Sequence, residues 1–131
     1  MHETIPPGFP GSSGAVSATR SRQEEFGDLS QAADNFAQAL EYYRAAVDEL
    51  ESGDAEGRVR LLYKMSECAR RRGDLDTAFF HLKAAHEASR PLNDPLWSGR
   101  LAGRYAAALT DRGSYRRAAR YAHLAYQLLR H

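Results

Sequence analysis

From Arg20 onward, apolar side chains return at intervals of three and four residues, not two, which is the spacing of helices that bury one face. Ala, Leu, Glu, Arg and Gln dominate this stretch, and its only prolines are Pro91 and Pro95. Breaks fall at Asp34-Asn35, Ser52-Gly53-Asp54, Arg72-Gly73-Asp74, Arg90 to Pro95 and Arg112-Gly113-Ser114. They divide the chain into six predicted helices of about 12 to 18 residues. Residues 1–19 follow no such period and hold three Pro, three Gly and three Ser, a composition expected of a flexible N-terminal arm.

The pattern repeats. Segments beginning at Asp34, Gly73 and Gly113 align at offsets of 39 and 40 residues. In each, a turn dipeptide precedes a large apolar residue (Phe36, Leu75, Tyr115), an alanine three positions later (Ala39, Ala78, Ala118) and another alanine seven beyond that (Ala46, Ala85, Ala125). Seven residues are almost two helical turns, so both alanines lie on one face and admit a neighbouring helix closely. Tyr43, Leu82 and Ala122 stand between them. The preceding helices carry a large residue followed by a small one at Phe26-Gly27, Met65-Ser66 and Tyr105-Ala106, with the large residue always eight positions before the turn. The expected unit is an antiparallel helix pair with the small residue at the closest crossing. Each pair leaves an apolar face that the next must cover.

The order of turn, large residue, alanine, aromatic and alanine in NFAQALEYYRAA and GDLDTAFFHLKAA resembles the tetratricopeptide repeat. Three repeats are drawn at about 20–53, 59–92 and 99–131. The family's usual period is about 34 residues, and the extra residues fall in ELESGDAEG and ASRPLNDPLWS, as in its longer-linker variants. The resemblance implies an all-α domain over residues 20–131, with helix pairs stacked in a right-handed superhelix. It also implies a concave groove, lined by the first helix of each repeat, that takes a peptide or a partner's helix.

With the crossing residues set aside, the groove positions of the second repeat are Arg60, Tyr63, Lys64, Glu67, Arg70 and Arg71, and those of the third include Arg100 and Arg104. The first repeat contributes Ser21, Glu24, Glu25, Asp28 and Gln31. An acidic first third followed by a basic remainder suits an acidic protein segment, a phosphate or a terminal carboxylate. The alternative is a set of solvated faces with local pairs such as Glu67 and Arg71. Tetratricopeptide domains that clamp chaperone C-termini use basic residues where Arg100 and Arg104 stand, but Glu24 and Asp28 replace the lysine and asparagine of that clamp and would repel a carboxylate. Most aromatic residues are expected in packing; Tyr63 is expected to face the groove, and Trp97 to lie in a Pro-bounded connection over the end of the second pair.

The last helix carries Tyr121, Ala122, Tyr126 and Leu129 with no polar capping helix after it, so a self-association face there, making this a structural module of a larger signalling or regulatory protein, is the second reading.

Composition narrows the rest. A length of 131 residues fits one domain. Eighteen basic against seventeen acidic residues leave a net charge of +1, too little overall to draw nucleic acid or an anionic membrane. Cys68 is single and reads as a small buried hydrophobe. His81 and His86 are five apart, not the four that aims two imidazoles at one metal. No nucleotide-binding, metalloprotease or nucleophile-elbow motif occurs. The expectation is therefore a non-enzymatic protein-interaction scaffold in the cytoplasm, without cofactor or metal, whose partner is a protein or peptide or a second copy.

Overall fold

The structure is a computed structural model that describes residues 20–130; the arm read for residues 1–19 lies outside the described residues. Six α-helices follow one another: α1 Arg22–Ala32, α2 Phe36–Asp48, α3 Ala55–Arg71, α4 Leu75–Ser89, α5 Pro95–Arg112 and α6 Tyr115–Leu129. A short 3-10 turn, Arg90–Leu92, follows α4, and the described residues include no strand. The all-α expectation holds.

Helix starts are fixed by side chains that take up an otherwise orphaned backbone N–H. Ser21 accepts from the amide of Glu24, Asn35 from Gln38, Asp54 from Gly57, Asp74 from Thr77 and Asp94 from Leu96. Two of these caps move a boundary. Asp54 starts α3 at Ala55 and Asp94, with Pro95 in the first turn, starts α5 four residues before the repeat as drawn from sequence. Trp97 is consequently a helical residue of α5 and is buried, where the sequence reading put it in a connection.

The turn inside each pair reverses the chain through a left-handed residue: Asp34 at φ 60°, Gly73 at 81° and Gly113 at 88°. These positions are one repeat apart, so the backbone repeats as the side chains do. Packing is serial: each helix lies against the next, and α3 also touches α5. Ala39, Leu40, Tyr43 and Ala46 of α2 form one core with Leu61, Met65 and Cys68 of α3. Leu82 and Ala85 of α4 form another with Leu101 and Ala108 of α5. Leu62 packs against both, which makes the interior continuous.

The small residue of the first helix sits at a close crossing in the first pair. A Cβ on Gly27 would come within 2.5 Å of the Tyr43 ring. The large residue before it meets the second helix: Phe26 and Tyr42 have ring centroids 5.4 Å apart, and their counterparts Tyr105 and Tyr121 stack at 5.3 Å.

Candidate protein-binding face

The residues assigned to a groove lie on α1, α3 and α5, but most of their charges meet partners one repeat away. Glu24 of α1 is only 1% exposed. Arg60 grips it with Nε at 2.8 Å and a terminal nitrogen at 3.0 Å, and Lys64 Nζ stands 2.7 Å from the same carboxylate. Lys64 also donates to Asp28 at 3.0 Å, and Asp28 accepts from Arg20 and, at 2.6 Å, from the Tyr43 hydroxyl. Burial of Glu24 works to raise its pKa, but hydrogen bonds from Arg60 and Lys64 outweigh it and hold the carboxyl below its ordinary value. For Asp28, burial is likewise overcome by Tyr43 and Lys64. Burial and then Asp28 push the Tyr43 hydroxyl far up, so it remains a donor.

A second knot joins α3 to α5. Glu67 is buried and accepts from Arg70 at 3.1 and 3.0 Å, with a terminal nitrogen of Arg104 at 3.1 Å and of Arg71 at 3.8 Å. Arg70 reaches onward to Asp111 at 2.8 Å. Arg71 also stands 3.9 Å from Asp34 and lies over the Phe36 ring. Opposite charges 36 to 41 residues apart, one repeat, thus stitch neighbouring pairs together.

One cation keeps its charge for a ligand, and a second lies beside it. Arg100 is exposed and has no carboxylate partner among the described residues; its guanidinium lies 5.0 Å from the Trp97 ring centroid. Arg104 lies 4.5 Å over Tyr63, and its buried Nε has no hydrogen-bond partner. Tyr63 meets Trp97 edge-on at 5.5 Å. Arg104, Tyr63, Trp97 and Arg100 therefore form one contiguous cation and aromatic array, in which each guanidinium lies within cation–π distance of a ring. Trp97 was not among the groove residues chosen from sequence. Its signal was its place three residues before Arg100 and seven before Arg104, on one helical face, which a reading of Trp97 as part of a connection conceals.

The terminal-face residues divide. Tyr121 turns inward onto Tyr105, whereas Ala122, Tyr126 and Leu129 are exposed. Cys68 is buried, and burial raises its thiol to about 11, which keeps it protonated. His81 is buried with an unpartnered Nδ1. Among the described residues no group of three His, Cys, Asp or Glu could hold a metal, and no helix is long and apolar enough to cross a membrane. Compared with protein-family models and with curated proteins, the chain gives no match.

Proposed function

We propose that this chain is a protein-interaction domain of the tetratricopeptide type, its helix pairs stacked in a right-handed superhelix, which binds an acidic segment of a protein partner. The observation that supports this most directly is the array of Arg104, Tyr63, Trp97 and Arg100, with Arg100 exposed and without a carboxylate partner among the described residues. A guanidinium already resting over a ring has lost part of its rotamer freedom, so less side-chain entropy is lost when it takes a carboxylate. Arg60, Lys64 and Arg70 serve in this reading as cross-links that hold the face in shape, because their charges are already met. A scaffold role in a cytoplasmic signalling or regulatory protein follows from the reading, and it requires no catalytic group, cofactor or metal.

Fluorescence anisotropy with a panel of acidic peptides, beside charge-reversed controls, tests it. Arg100→Glu is expected to weaken binding of the acidic peptides by about tenfold or more while circular dichroism stays unchanged, since hydrogen bonds to charged groups contribute roughly 1.5 to 3 kcal/mol. Equal binding by parent and variant, or no preference for acidic over basic peptides, rejects the reading.

A further inference from the structure

The two ends of the helical stack carry matching halves of an interface that already occurs twice inside the molecule. Between the first and second pairs, Leu40 and Tyr43 of α2 are covered by Leu61, Met65 and Cys68 of α3. Between the second and third, Phe79 and Leu82 of α4 meet Leu101, Tyr105 and Ala108 of α5. One repeat further on, the covered stripe becomes Ala119, Ala122, Tyr126 and Leu129 of α6, all exposed, with Tyr126 at 63%. One repeat earlier, the covering stripe becomes Arg22, Phe26 and Leu29 of α1, also exposed, with Phe26 at 42% and Leu29 at 67%. Phe26 keeps the contact to its own second helix that Tyr105 makes, but among the described residues it has no outer ring neighbour such as Tyr105 finds in Phe79 at 6.1 Å.

Charge distinguishes the ends. Residues 20–53 hold eight acidic and three basic residues, a net of −5, while residues 95–130 hold one acidic and seven basic, a net of +6. Two α6 faces brought together would oppose Arg116, Arg117, Arg120 and Arg130 with their own copies, whereas the first pair, with Glu24 and Asp28 already met by Arg60 and Lys64, still exposes Glu25, Asp48, Glu49 and Glu51. Only the unlike ends attract.

We propose that copies of this chain associate head to tail, α6 of one copy seating α1 of the next, with Phe26 and Leu29 lying on the shallow strip left by Ala119 and Ala122. The contact is heterologous, because it joins two different surfaces, so association does not stop at a dimer unless the rotation closes a ring. It does not depend on the acidic-segment reading, whose residues lie elsewhere.

Sedimentation velocity on the full chain over a concentration series tests it, with Leu29→Glu blocking the head and Tyr126→Glu blocking the tail. Both side chains are mostly exposed, and circular dichroism checks that each variant is folded. The parent is expected to grow in mass with concentration and to associate less in high salt. Each variant alone is expected to self-associate at least about tenfold more weakly. An equimolar mixture of the two restores a one-to-one complex that grows no further, since one variant keeps a sound head and the other a sound tail. A parent that stays monomeric at millimolar concentration overturns the proposal. So does a dimer that survives Leu29→Glu, which would mean tail-to-tail pairing, or a mixture that forms no complex. Acidic-peptide binding that persists in both blocked variants keeps this result separate from that of Arg100→Glu.

Discussion

The Lys64 ammonium stands 2.7 Å from Glu24 and 3.0 Å from Asp28, so one cation of the second helix pair bridges two carboxylates of the first. With Arg60 on the other side, Glu24 is enclosed by positive charge and almost wholly out of water. A buried carboxylate satisfied in this way contributes little over an apolar replacement of both partners, yet its loss alone takes from Arg60 and Lys64 the buried carboxylate that they share. The pair therefore sets how the first two helix pairs align.

Glu24→Gln is accordingly expected to destabilise the fold by about 2 to 4 kcal/mol, below the range for a fully dry pair because Arg60 and Lys64 keep some exposure. Urea unfolding should show a lower midpoint at an unchanged slope. A double-mutant cycle with Arg60→Met should recover part of the loss, and additive losses would show that the two groups do not interact.

Acid should act in two steps. Burial, and then the nearby charge of Arg44, lower the His81 pKa from 6.5 against a small opposing effect of Asp74. The unfolded chain therefore binds a proton first, and stability falls as pH drops below 6.5, levelling off beneath the folded pKa. Glu24 and Asp28 act lower down: their folded pKa values lie below the ordinary 4.5 and 3.8, so their contribution is complete above those values and is lost as pH falls through the depressed ones. Tyr42 and Tyr121 occupy the position of His81 in the other repeats. His81→Tyr should remove the upper step from a plot of melting temperature against pH and leave the lower one. Persistence of the upper step would assign it to another group.

The helices, their breaks and the repeat register were legible because each is encoded within about 20 neighbouring residues: a period, a cap, a small residue facing a large one. The caps Asp54 and Asp94 carried more than the linker composition around them, which is why α3 and α5 start earlier than drawn. The charge pairing was not legible in the same way. Choosing groove residues by elimination treats each pair alone, and Arg60, Lys64, Glu67 and Arg70 are all answered by residues on a neighbouring pair or on their own helix. The available signal was opposite charge at one repeat's separation, as between Arg112 and Asp76, 36 residues apart and 2.8 Å distant.

The left-handed turn gives a test of the repeat at the level of the backbone. Asp34 adopts φ 60°, where Gly73 and Gly113 stand in the other pairs, and its only ion pair among the described residues is a 3.9 Å contact to Arg71. Asp34→Gly relieves the Cβ strain and should stabilise by roughly 0.5 to 1 kcal/mol, while Gly73→Ala should cost about 1 kcal/mol or more. No atom lies within 4 Å of a Cβ at Gly73, so its cost would be conformational and not steric. Thermal melts that rank the two substitutions in the opposite order would contradict this account.

Gly27 makes the opposite case, in which the backbone is ordinary helix and the space is missing. A Cβ there would sit 2.5 and 2.6 Å from two carbons of the Tyr43 ring, which is itself wholly buried and hydrogen-bonded to Asp28. The ring cannot yield without moving that hydroxyl, and Asp28 is in turn held by Lys64. Gly27→Ala should therefore cost about 1 to 3 kcal/mol despite alanine's better helix propensity. Adding Tyr43→Leu, the residue found at this position in the second repeat, should restore room for the methyl group. The double variant is expected to be more stable than Gly27→Ala combined additively with Tyr43→Leu, a coupling that chemical denaturation of all four proteins would measure. Strict additivity would mean that the first pair does not close on the Gly27 and Tyr43 contact.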